Sequence, residues 1–273
     1  LAPLWYEFFN SLGFEVHFSK LSTRGTYEKG QLTIPSDTAC YPAKIMHGHI
    51  EELIDGGLKV IFYPSLTYNV DEKKSANHYN CPVVAYYAEL LNSNMEDLKK
   101  VDFIYPYLDV TSPKALAKTF SKTLKTLDSS ITDREIKQAA KNGFKAYNDY
   151  KTALYAEGKK AVEYARAHKK RIMVLAGRPY HIDPEIGHGI DKLATSLGFV
   201  VVSEDSVCHL AKPKSTRVLN QWTYHARLYR AANYAASHED TELVQLVSFG
   251  CGIDAITTDE VRRILEEKGK FYT

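Results

Sequence analysis

Short runs of β-branched and aromatic residues alternate with helical patterns along most of this chain, and that alternation constrains the fold most tightly. The runs are Phe14–Ser19, Lys59–Tyr63, Val101–Tyr105, Arg171–Ala176, Phe199–Ser203 and Leu243–Ser248. Helical patterns lie between them, at Leu4–Leu12, Pro42–Ile54, Val84–Leu91, Ile186–Leu197, Gln221–Ala235 and Thr258–Lys268. Strand–helix–strand units pair their strands in parallel, so an α/β class is expected. From Ser112 to Lys170 only helical signals occur. Pro113 suits a first helical position there, and Asp133 is expected to cap a long amphipathic helix running through Arg166. The expected organisation is two Rossmann-like parallel-sheet halves, residues 1–111 and 171–273, joined by a helical connector, residues 112–170.

The halves share an order of elements. Ser11-Leu12-Gly13-Phe14 and Ser196-Leu197-Gly198-Phe199 each follow a helical pattern and lead into a strand pattern. In each, the glycine can stop a helix in the left-handed conformation. Duplication explains this match. It implies that the first half lacks the counterpart of Arg171–Ala176, an N-terminal strand, and that Lys270–Thr273 starts a further strand.

Composition narrows the class. The 273 residues carry 35 basic and 33 acidic side chains, a net charge of +2, with no block of Lys or Arg. Neither a nucleic-acid surface nor a membrane surface is expected from that balance. No apolar run reaches the ~18 residues a transmembrane helix needs. No signal peptide is visible. Four cysteines are too few for a disulfide scaffold. A cytoplasmic protein is expected.

Three of the cysteines sit in loops. Cys40 precedes Tyr41-Pro42 at the start of a helical pattern, where helix N–H groups stabilise a thiolate. Cys81, in Asn80-Cys81-Pro82, follows the Lys59–Tyr63 strand. Cys251, in Gly250-Cys251-Gly252, follows Leu243–Ser248, the equivalent strand by the repeat. Loops at the carboxyl edge of parallel strands are where open α/β sheets bind ligands. The residues leave three readings open: buried inert thiols, a zinc site, or an iron–sulfur cluster. Zinc lacks its usual short C-x₂₋₄-C spacing, and dispersed cysteines suit a cluster only if the fold gathers them.

Several long motifs carry a family resemblance: SDTACYPAKIMHGHIEELI (36–54), NCP (80–82), LAGRPYHIDPEIGHGI (175–190), NQWTYHARLYRAA (220–232) and QLVSFGCGIDAITTDEVRRIL (245–265). Together they resemble the activase-related family allied to the 2-hydroxyacyl-CoA dehydratases and benzoyl-CoA reductases, from Trp5 to Thr273. The resemblance implies a [4Fe–4S] cluster held by Cys40, Cys81 and Cys251. It implies low-potential electrons from a separate ATP-dependent activator, and reduction of an acyl thioester or related acyl-lipid substrate. The chain itself shows no G-x-x-x-x-G-K-[ST] loop and is not expected to be the ATPase. Two other readings remain: a non-catalytic acyl- or lipid-binding module, and a zinc-stabilised scaffold.

Further candidates surround the Arg171–Ala176 strand. The loop Gly177–Gly189 holds Arg178, His181 and His188. A strand–loop–helix junction is a common anion site. Arg178 is expected to pair with a phosphate or carboxylate, and His181 or His188 to move a proton. The plainer reading is a turn capped by Asp183. Lys44 and His47 share a helix face with Cys40 by spacing, but a solvated face suits them as well, and His49 points elsewhere. Trp222, Ala226 and Tyr229 share a core face. Cys208, beside Glu204 and Asp205, lies roughly where the repeat places Cys40, yet is not expected to be an obligate ligand.

Overall fold

The structure, a computed structural model, describes residues 1–212, 214–248 and 250–273. In chain order its elements are α1 (Ala2–Asn10), α2 (Arg24–Gly30), α3 (Tyr41–Asp55), β1 (Val60–Phe62), α4 (Pro82–Asn94), β2 (Asp102–Ile104), α5 (Pro113–Leu127), α6 (Asp133–Ala167), β3 (Ile172–Ala176), α7 (Ile190–Ser196), β4 (Val200–Ser203), α8 (Glu204–Val207), α9 (Thr223–Ala236), β5 (Thr241–Gln245) and α10 (Gly252–Glu266). The α/β class holds. Both sheets are parallel: β1 pairs with β2, and β3 lies between β4 and β5.

Phe14–Ser19 is not a strand. It runs as irregular chain beside an apolar cavity of about 340 Å³ whose other wall includes Val60, Ile61 and Phe62 of β1. A strand needs a neighbour for its ladder, and among the described residues none pairs with this one. Its counterpart in the second half, β4, pairs with β3. Residues 270–273 likewise form no strand, although Gln245 N donates to Thr273 O at 2.9 Å. Gly13 and Gly198 do take the left-handed conformation, with φ of 86° and 91°.

Helix boundaries differ from expectation for local reasons. The long connector helix is capped by Thr132, whose side chain and that of Glu135 form a capping box; Asp133 is its first residue, bonded by Ser121 and Lys125. α10 starts at Gly252, directly after Cys251, and not at Thr258. Gly252 and a β-branched opening, poor helix formers, hide that start. α7 is shorter than its pattern because His188 and Gly189 both have positive φ. α2 was not legible at all.

At 35 residues, α6 is about 50 Å long. Its first part packs on α1 and α5, its later part on α8 and β4, so it serves both halves. The core around it in the first half holds Phe8 and Phe120, stacked at 5.5 Å between ring centroids. α2 crosses α3 at contact distance: a Cβ on Gly48 would lie 1.6 Å from Thr26 O, and one on Gly30 2.2 Å from Gly48 N. Only glycine permits that approach.

One buried carboxylate ties the parts together. Glu72, in the segment between β1 and α4, accepts hydrogen bonds from Arg227 of α9 at 2.6 and 2.9 Å, from Lys151 of α6 at 2.7 Å and from Lys74 at 2.9 Å. Arg227 and the two lysines hold its carboxyl well below the usual glutamate range. Since the folded value is depressed, its stabilisation is complete above roughly pH 5 and fades as pH falls below the unfolded value near 4.3. Glu72→Gln should cost about 3–5 kcal/mol in urea unfolding at pH 7, because it leaves cations buried without a counter-charge. The difference should begin to shrink only as pH falls below about 4, and keep shrinking well below that. Gly48→Ala should cost about 1–3 kcal/mol in the same assay through overpacking.

Candidate functional site

The sheets do not hold the cysteines; helix starts do. Cys40, Cys81 and Cys251 are the N-cap residues of α3, α4 and α10. Pro42 is the second residue of α3 and Pro82 the first of α4, in a first turn where a missing N–H costs nothing. All three cysteines are half-buried, and all three line one cavity of about 660 Å³. Three positive helix ends therefore meet at this cavity, each favouring negative charge. Burial pushes the Cys40 thiol up, Cys81 and Cys251 push it the same way, and Arg178 and the Ala43 N–H oppose them. Among the described residues, no three His, Cys, Asp or Glu side chains are arranged to hold a metal ion. Phe249, in the motif that carries Cys251, lies outside the described residues.

The rest of the wall is mainly apolar: Ile45, Met46, Tyr63, Val83, Val84 and Ile253. Both halves supply it, and polar bonds cross the gap. Tyr41 Oη donates to Glu185 Oε1 at 2.8 Å, and Ser22 N donates to Asp183 Oδ2 at 3.4 Å. Ser22 Oγ also meets His49 Nε2 at 2.9 Å, so His49 faces the cavity wall and does not point away.

Arg178 also lines the cavity, but its guanidinium is already engaged. Nε and Nη2 donate to Asp254 Oδ1 at 3.2 and 2.9 Å, and Nη2 approaches Cys251 Sγ at 3.3 Å. Asp254 was missed in the sequence; its signal was its place one turn after Cys251 in a helix that had not been recognised to start there. His181 is buried, and its Nδ1 accepts from Arg178 N at 2.8 Å. Burial lowers its pKa to about 4, which leaves it neutral at pH 7. His188 is exposed and is not in the wall. Asp183 caps the turn through Glu185 N and Ile186 N.

Lys44 and His47 do not join the site. Lys44 donates to Asp37 O at 2.7 Å. His47 is fully buried between Thr33 Oγ1 and Tyr87 Oη, at 2.7 and 3.0 Å, so its side of α3 is not solvated. Ala226 and Tyr229 are buried, as their spacing implied, while Trp222 is half-buried as the N-cap residue before α9. Cys208 is fully buried at the end of α8, away from the cavity.

One family model matches this sequence, that of the CoA enzyme activase uncharacterised domain (DUF2229), over residues 1–207. The chain belongs to this family. The matched span holds Cys40, Cys81 and Arg178, while Cys251 and Asp254 lie beyond it. No curated protein and no solved structure matches the chain. Among the described residues, no helix is long and apolar enough to cross a membrane.

Thiol accessibility follows directly. Burial pushes Cys208 up to about 11, so it is protonated as well as covered. In metal-free folded protein iodoacetamide should label Cys40, Cys81 and Cys251 and leave Cys208 unmodified until urea unfolds the chain, as read by peptide mass mapping.

Proposed function

We propose that this domain is an iron–sulfur protein of the 2-hydroxyacyl-CoA dehydratase type, with two Rossmann-like halves and a [4Fe–4S] cluster on Cys40, Cys81 and Cys251. It takes low-potential electrons from an ATP-dependent activator and passes them to an acyl thioester or related substrate. The observation that carries the reading is the convergence of three thiols, from loops far apart in sequence, on one cavity between the halves.

The donor set fits the group. A single ion draws its thiolates to about 2.3 Å of one point, which these three do not meet. A four-iron cluster has the bulk of a small ligand and holds its thiolates apart. The zinc scaffold has less support because the sequence lacks the short C-x₂₋₄-C spacing of structural zinc sites. Such a cluster, when bound, supplies one-electron transfer at low potential.

The chain's own residues do the rest. The three cysteines bind as thiolates, and the starts of α3, α4 and α10 favour their charge. Apolar side chains such as Ile45, Val83 and Ile253 exclude water from the cavity. Cys40, Cys81 and Cys251 would supply three thiolate ligands to such a group, one fewer than the four of a Cys₄ site. Arg178 is bound to Asp254 and is no free hook for a phosphate, so the part of the substrate that enters is apolar. His181 is held neutral and hydrogen-bonded to backbone, which suits a structural place better than proton transfer.

The apolar wall also favours a second reading, a binding module that holds an acyl chain without cluster chemistry. Anaerobic purification separates the two. The cluster reading expects a brown protein with about four irons and four sulfides per chain; a colourless, iron-free protein after anaerobic reconstitution leaves the binding module. Replacing Cys40, Cys81 or Cys251 by Ser should each abolish most iron uptake, while Cys208→Ser should keep it. Full iron in any of the first three removes that residue from the ligand set.

A further inference from the structure

We infer that Arg178 acts on the sulfur of Cys251, as a positioning residue that raises the cluster's reduction potential, and not on the substrate. The inference rests on the cluster reading above and gives Arg178 and Asp254 a role that reading does not assign.

Arg178 and Asp254 have side chains only 5% and 6% exposed, and together they form a built arrangement. The N–H groups of Arg178 hold Asp254 Oδ1, and its Nη2 also stands 3.3 Å from Cys251 Sγ. The other carboxylate oxygen, Oδ2, accepts from Ser248 N at 3.1 Å. Asp254 therefore braces the chain on both sides of Cys251, at the end of the β5 segment and in the first turn of α10. Arg178 itself is held by its backbone, whose N–H donates to His181 Nδ1. Its side chain cannot leave for a ligand without exposing a buried carboxylate. Among the described residues, neither Cys40 nor Cys81 shows an arginine N–H at its sulfur.

The chemistry follows from charge. Reduction adds one negative charge to a cluster and its thiolates. A donor and a positive charge at a ligand sulfur stabilise the reduced form more than the oxidised one, and so raise the potential. Asp254 offsets part of that charge. Its removal should act in the opposite sense to removal of Arg178.

The test is a redox titration of anaerobically reconstituted protein, followed by EPR of the reduced cluster. Arg178→Gln should shift the midpoint potential to more negative values, and Arg178→Lys should shift it less. Asp254→Asn should shift it to more positive values. Wild-type potential in Arg178→Gln at full iron content would overturn the inference and leave the cluster reading standing. If Arg178→Gln holds no iron, Asp254→Asn decides: a more positive potential supports the inference, and an unchanged one overturns it. A wild-type chain that takes up no iron and sulfide would overturn the cluster reading, and this inference with it.

Discussion

Everything that meets at the cavity depends on one desolvated carboxylate. Glu72 lies in the segment that leads from β1 to Cys81, Arg227 lies in the helix before β5, and Lys151 lies in the connector helix. The three are brought out of water together, and each charge is tolerated only because the others are present. The same segment is tied to the second half again where Ala76 N donates to Asn220 O and Tyr79 N to Gln221 O, at 2.8 and 3.0 Å. Asn80, next to Cys81, is buried on Asn69. The loop that carries Cys81 is thus fixed against the very helix, α9, that leads to β5 and Cys251. If the halves slid, the cysteines would part.

Cys40, Cys81 and Cys251 are placed by the same device, a helix that begins where a loop ends. A helix start is rigid, because the residue after it is already committed to helical geometry, and it exposes unpaired N–H groups. Three such starts around a mainly apolar space favour negative charge there. Among the described residues Arg178 is the one Lys or Arg in this wall, and Asp254 takes up its charge.

The structure refines the internal repeat. α3 ends at Asp55 and β1 begins at Val60; α9 ends at Ala236 and β5 begins at Thr241, at the same spacing. Cys81 and Cys251 each cap the next long helix and so hold matching places in the two runs of elements. Cys40 caps α3, so its equivalent is Trp222, which caps α9, and not Cys208. Cys208 lies in the short helix after β4, where it is core. The repeat had aligned these regions by distance from a strand, and only the helix caps show the offset.

By itself the sequence determined the parallel α/β class, five of the six strands, the helical connector and the loop placement of the three cysteines. These features are local: β-branched runs, helical periodicity and prolines in first turns act over a few residues. It could not determine that Phe14–Ser19 would stay unpaired, since a strand exists only with a neighbour. Nor could it place Arg178 on Asp254, Ser22 on His49 or Tyr41 on Glu185. Those partners lie far apart in the chain, and a charged or hydroxyl side chain looks the same in sequence whether it meets a ligand or another residue. Only the tertiary structure decided that these polar groups were already satisfied, because each found its partner where distant parts of the chain were buried together.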